Sequence, residues 1–467
     1  MVRRLLPVAL VLIPVLLAGR AALAVDLDEA RHLVSRTGLG VTPAEIAALR
    51  PLSYDQAVDK LLASARTTAV TPPPAWATEP FRLPRFKEMS EAERKEFRRT
   101  VVMHANELRG WWYREMAATP SPLTEHMTLF WSNHFTSSLQ KVKWPQFIYR
   151  QNALLRREAL GNFATMLHDI ARDPAMIVYL DNATNRKGKP NENFARELLE
   201  LFTLGEGHYT ERDIKEAARA FTGWSIDRET GDFRFYPRLH DDGEMTFMGV
   251  TGRLNGDDII DIVLRQPRTA VFITEKMWRE FISETPDRAE VEAIAQRFRA
   301  SHYDIKTLVA GILETPSFRG RANRGVLVKS PVELMVGTMR LFDAENIDGE
   351  MLARLGRRLG QDVMNPPNVK GWPGGDAWIT ADTLLVRQQL LTRVAAGQGM
   401  MPKGKRMTAD QGDGLDGWLK SLPPDLRERQ SLESLLLPIR PVAQPAADAD
   451  PERFVAALLL DPAYELK

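Results

Sequence analysis

Apolar residues recur at three- and four-residue intervals through most of the chain, and that spacing predicts helices. The densest case runs from Pro190 to Trp224, PNENFARELLELFTLGEGHYTERDIKEAARAFTGW. Phe194, Leu198, Leu201 and Phe202 give it a dry stripe. Asn193, Arg196, Glu197 and Glu200, at i, i+3, i+4 and i+7, give it a wet one. Asn191, Glu192 and Asn193 follow Pro190 and place side-chain acceptors in the first turn, where they are favourable. Gly205 and Gly207 end the helix, and Thr210 with Asp213 caps the next.

The same period predicts helices over 53–65, 90–117, 122–135, 145–159, 162–171, 257–264, 270–282, 288–300, 305–314, 331–342, 350–360 and 380–395. Thr42-Pro43-Ala44-Glu45 and Ser330-Pro331-Val332-Glu333 carry helix-start signals. Strand alternation occurs once. Phe233 and Phe235 lead to a turn at Asp241-Asp242-Gly243, then Met245, Phe247 and Val250, which predicts a hairpin over 233–250 with His240 at its turn. Thr71 to Arg85 holds five prolines and reads as an extended surface connection. The expected fold is mainly α: one large multi-helix domain over 26–400 with that small β hairpin. A mobile or linker region over 401–449 then leads to a C-terminal helix over 450–467 that packs back on the domain.

The first residues change the picture from fold to destination. Arg3 and Arg4 precede an apolar run of 14 residues, Leu5 to Ala18, and Ala22-Leu23-Ala24 supplies a small-x-small cleavage box. A spanning helix needs roughly 20 apolar residues, so 1–24 reads as a cleaved export signal and the protein as periplasmic or extracellular. No later stretch is long and apolar enough to predict an integral membrane segment in the mature chain. With 62 basic and 61 acidic residues the net charge is +1, which argues against broad adhesion to nucleic acid. Cysteine is absent, which excludes disulfides, thiolate nucleophiles and Cys-ligated metal.

Chemistry must then come from eight histidines, carboxylates, hydroxyls or bound ions. The chain lacks a Gly-x-Ser-x-Gly elbow, a His-Glu-x-x-His helix and a P-loop. On LTEHMTLFWSNHF, His134 shares a face with Met127, Phe130 and Trp131, the setting of a core histidine. With Asn133 beside it, it is also the setting of an oriented base or ligand. Glu192, Arg196 and Glu200 form i, i+4 charge pairs, as a solvated face does. The polar first turn instead suggests a hydrogen-bonding site, with Arg196 and Glu197 as members of a network. His240 and Asp241 at a turn fit ordinary turn chemistry, a divalent-ion site or an acid–base pair. In the loop 365–378, Trp372 and Trp378 either stack on a sugar ring or lid the core, the latter being favoured.

FWSNHFTSS, NENFARELLELFTLGEGHYTERDIKEAARAFTGW, HDDG, KSPVEL and PPNVKGWPGGDAWI occur here in this order. This resembles the large bacterial exported family catalogued as domain of unknown function, number 1800, over nearly the whole mature chain. Ser132 stands where many members have histidine, so a His-x-His mechanism is not available and His134 remains. The resemblance implies an exported, mainly helical protein, often encoded beside an exported sulfatase-like protein. Its polar signatures fall on Asn133, His134, Asn191, Glu192, Asn193, Arg196, Glu197, His240, Asp241 and Trp372.

The resulting expectation is an exported hydrolytic enzyme acting on an envelope or extracellular polymer. His134 or His240 would be the general base and Glu197 or Asp241 would orient it. Asn133, Asn191, Glu192, Asn193, Arg196 and Trp372 would bind substrate. The central stripe would face inward, toward His134 and the His240 turn. The alternative is a non-catalytic binding or assembly partner of the co-exported sulfatase-like protein, docking through that stripe. A third reading is a structural metal protein, so the cofactor is left open between none and a divalent ion.

Overall fold

The computed structural model describes residues 23–343, 347–397 and 414–467. The export signal expected over 1–24 lies, as far as residue 22, outside the described residues, as does most of the stretch 397–414. The rest is mainly α, with two small two-stranded antiparallel sheets among the described residues. No helix among them is long and apolar enough to cross a membrane.

The longest helix, Glu91–Ala118, starts on a capping box in which Ser90 and Glu93 satisfy each other's backbone N–H groups. Its second half buries Leu108, Trp111, Trp112, Tyr113 and Met116. Pro122–His134 follows, with proline in its first turn where the missing N–H costs nothing, and packs on Pro145–Glu158. The two are joined at depth by Arg156, whose Nη2 donates to the buried Glu125 Oε2 at 2.9 Å. Gly349–Arg358 crosses the long helix where glycine meets glycine. A Cβ at Gly349 would lie 1.9 Å from the Gly110 carbonyl oxygen. Gly349→Val is therefore expected to destabilise the fold by about 1–3 kcal/mol through forced separation of the helices. A thermal unfolding midpoint equal to wild type would contradict that contact.

The single hairpin expected over 233–250 is corrected by the structure. Phe233–Phe235 pairs backward with Trp224–Ile226, and Met245–Phe247 pairs forward with Val250–Gly252. Asp227 closes the first turn by accepting from the Glu229 and Thr230 N–H groups. The second turn has two residues, Met248 and Gly249, both with positive φ (45° and 82°), the twist that suits a tight hairpin. His240 and Asp241 lie in the connection between the sheets.

Part of the region expected to be mobile or a linker is ordered helix. Gly414–Ser421 buries Leu415, Trp418 and Leu419, and Arg429–Leu436 buries Leu432, Leu435 and Leu436. These are i, i+3, i+4 sets, but each helix has only eight residues, too short to stand out beside charged neighbours. The C-terminal helix Pro451–Leu460 packs on both and on Ala381–Ala395. Beyond it Leu466 bridges to Val328, and the Tyr464 hydroxyl lies 3.0 Å from that of Thr338. This carries Lys467 into the interior.

Candidate functional site

Two helices face each other across a cavity of about 550 Å³. Pro122–His134 contributes His126, Asn133 and His134, and Pro267–Phe281 contributes Lys276, Arg279 and Glu280. Each histidine meets a charge on the facing helix. His126 Nε2 lies 2.7 Å from Glu280 Oε1, and His134 Nδ1 lies 3.1 Å from Lys276 Nζ.

The Lys276 rung is built on the end of the central stretch. Asn193–Glu197 is α-helical, but Leu198–Thr203 widens into a π-helix, with the Leu204 N–H donating to Leu199 O at 2.9 Å. The last carbonyls of such a helix have no partner within it and carry its negative pole. Leu201 O accepts from Lys276 Nζ at 3.0 Å, and Phe202 O accepts from His134 Nε2 at 3.1 Å. A carbonyl can only accept, so the proton of a neutral His134 sits on Nε2 and its Nδ1 accepts from Lys276. Burial, and then the Lys276 charge, hold His134 well below the usual imidazole range. Burial, and then Arg279, push Lys276 down to about 8.

At the other rung, His126 Nδ1 donates to Gly38 O at 3.0 Å, which directs Nε2 at Glu280. Burial would raise Glu280, but Lys467 and His126 outweigh it and push the group down to about 2. Glu333, from the capping box of Pro331–Leu341, accepts from the Ser330 N–H at 2.8 Å and from Lys467. Lys467 Nζ is also 3.6 Å from Glu280 Oε1.

Of the residues singled out by sequence, Asn133, His134, Trp372 and Trp378 line this cavity. Asn133 clamps a loop: its Oδ1 accepts from the Trp372 N–H at 2.8 Å and its Nδ2 reaches Trp372 O at 3.4 Å. Gly371 takes φ 82° against it, and a Cβ there would lie 2.2 Å from Asn133 Oδ1. Trp372 and Trp378 are both buried, so their rings close the wall rather than offer a free stacking face. His134 has both nitrogens engaged, Nε2 by the Phe202 carbonyl and Nδ1 by Lys276.

The central polar stripe does not turn inward. Asn193 is exposed, and Arg196, 36% exposed, reaches Glu192 at 3.1 Å and Glu211 at 2.9 Å. Glu200 accepts from the Tyr209 hydroxyl at 3.1 Å. Glu197 is half-buried and raised by burial and by Glu200, but it lies outside the cavity lining. Asn191 ties to Asn185, whose Oδ1 accepts the Asn191 N–H at 2.9 Å. His240 Nδ1 donates to Thr222 O at 3.0 Å, and Asp241 accepts from Arg219 Nε at 2.9 Å, so both fasten the connection between the sheets. The structure therefore separates His240, Asp241 and the stripe from His134. The buried side explains this: Phe194, Leu198, Leu199 and Phe202 face the core, Leu199 taking the place expected for the partly buried Leu201, and the charges are left outside.

His126, Lys276, Glu280, Glu333 and Lys467 were not among the expected site residues. A signal existed for some of them. His126 stands seven before Asn133 on one helix face, and Lys276 and Glu280 stand at i, i+4 on another.

A family model described as "Protein of unknown function (DUF1800)" matches residues 32–466. No curated protein and no solved structure matches the chain.

Proposed function

We propose that this chain, which belongs to the family described as protein of unknown function (DUF1800), is an exported hydrolytic enzyme with its active site in the cavity between Pro122–His134 and Pro267–Phe281. One observation carries the proposal: Lys276 is held in the cavity wall by two acceptors, His134 Nδ1 and Leu201 O, and is pushed down to about 8. A neutral amine has two hydrogens, and the two acceptors take both, which leaves its lone pair for a proton. That is the requirement for a general base near neutral pH. Water gives its proton to Lys276 as its oxygen attacks the linkage, and the resulting ammonium returns a proton to the leaving group. Glu280, one helical turn away and ionised, supplies fixed negative charge on the same face. His134 acts as a positioning residue through Lys276. The N-terminal export pattern favours an envelope or extracellular polymer as substrate.

Burial and then Arg279 set the Lys276 proton affinity, and His134 opposite, the Leu201 carbonyl and the Phe272 ring at 5.0 Å also face the amine. Glu280, Glu284 and Lys370 share the cavity. Only the amine form works as the base, so kcat/KM on a hydrolysed polymer should rise with pH and level off above about 8. Release of reducing ends or amines from a panel of cell-wall and exopolysaccharide preparations, followed from pH 6 to 10, measures this. A profile that falls across the same range removes Lys276 as the base.

The outward stripe favours a second reading, because Arg196, Glu192 and Glu211 form a charged surface network. This is the docking face for the exported sulfatase-like protein. Arg196→Glu should abolish co-purification of the two. Unchanged co-purification, or none with the wild-type chain, counts against it.

A further inference from the structure

We infer that His126, Glu280 and Glu333 form a site for a first-row divalent cation, and that the Lys467 ammonium occupies its place as a built-in competitor. One nitrogen and two carboxylate oxygens from these residues all lie within 4.8 Å of one another. They come from three helices, Pro122–His134, Pro267–Phe281 and Pro331–Leu341, which fixes the cluster from three sides. Ligands bonded at about 2.0–2.2 Å to one tetrahedral ion lie roughly 3.3–3.6 Å apart, so on binding the widest separation would close by up to about 1–1.5 Å and the 2.7 Å His126–Glu280 contact would open.

Two features go beyond a meeting of acids. The first is the orientation of His126. Its Nδ1 donates to the Gly38 carbonyl at 3.0 Å, the outer hydrogen bond that fixes a metal-binding imidazole and leaves Nε2 to the ion. The second is the cation already present. Lys467 Nζ sits against Glu333 and 3.6 Å from Glu280, in a chain segment with a buried side chain. Glu333 is buried and Glu280 is 32% exposed, and two carboxylates this close call for positive charge beside them. The Lys467 ammonium supplies it. A divalent ion held by the same carboxylates takes the place of the ammonium and expels it. The donor set of one imidazole and two carboxylates suits Zn2+ or Mn2+. An ion there would add Lewis-acid polarisation to the same cavity.

The competitor makes the prediction sharp, because affinity in the wild-type chain is reduced by the cost of displacing Lys467. The full chain, stripped with chelator and titrated with Zn2+ alone, is compared with Lys467→Met and with the Lys467→Met/His126→Gln double variant. Lys467→Met should bind Zn2+ stoichiometrically and at least about tenfold tighter than wild type, and the double variant should lose about 10–100-fold. With Co2+ as the probe, the visible absorption of Lys467→Met should vanish in the double variant. Thermal midpoints of all three show whether each is folded. Equal Zn2+ binding by Lys467→Met and the folded double variant overturns the site, as does tighter binding by wild type. Metal content is read without substrate, so its failure leaves the Lys276 reading standing, and loss of the pH limb leaves this one standing.

Discussion

Lys276→Met should lower hydrolytic kcat/KM by about 10²–10⁴-fold at pH 8, the range that a positioned general base contributes. Methionine keeps most of the length and the apolar contacts of the stem, so the helix Pro267–Phe281 should survive. What it removes is the lone pair, along with the donors to His134 Nδ1 and Leu201 O. The loss should fall on kcat with little change in KM, because the amine acts on water rather than on the bound polymer. The pH limb near 8 should disappear from the residual rate, since Lys276 is the cavity group that burial pushes into that range. Lys276→Arg separates charge from basicity: guanidinium stays protonated, so it should be nearly as inactive as methionine despite keeping the positive charge. Wild-type turnover in either variant would place the chemistry elsewhere on the cavity.

How much of this was legible beforehand differs between fold and site. The helices followed from spacing and caps, because an amphipathic stripe and a Ser-x-x-Glu box act within one turn of sequence. Ser90 with Glu93 and Ser330 with Glu333 formed the boxes that their spacing implies. The hairpin failed because alternation says that a segment is extended but not which neighbour it pairs with. Phe233–Phe235 had a tighter turn behind it, at Asp227, than the Asp241-Asp242-Gly243 turn ahead of it. The site was half legible. Asn133 and His134 stood out by type and neighbourhood, and both line the cavity. Lys276 and Glu280 did not, since a Lys and a Glu one turn apart are read as a surface pair. Here they do not pair with each other, because each is drawn to a histidine on the facing helix. The central stretch reaches the site through the carbonyls of Leu201 and Phe202 instead of its side-chain stripe. Side-chain patterning carries no sign of that, because every residue has a carbonyl and only the π-helical end decides which ones are free.

The largest effect on stability should come from the pair behind this wall. Arg156 and Glu125 are 2% and 1% exposed, and Glu125 accepts from Arg156 Nε and Nη2 and from Trp112 Nε1 at 2.9 Å. Arg156 also donates to Asn152 Oδ1 at 2.8 Å and lies 5.3 Å from the centre of the Trp111 ring. Arg156→Met removes two of the three donors to Glu125 and strands its charge in a region that water does not reach. Breaking such a pair from one side costs about 3–5 kcal/mol. The urea midpoint of Arg156→Met should fall accordingly, while Arg156→Met/Glu125→Leu, which removes both charges, should recover much of the loss. That recovery tells a desolvated ion pair from simple packing. If the double variant were as unstable as the sum of the single ones, volume rather than charge would hold Pro122–His134 against Pro145–Glu158. His126 and His134 ride on the first of these helices, eight residues apart, so a shift of that helix moves both rungs. Arg156→Met should therefore also weaken the Lys276 limb of the pH profile, although its side chain touches neither histidine.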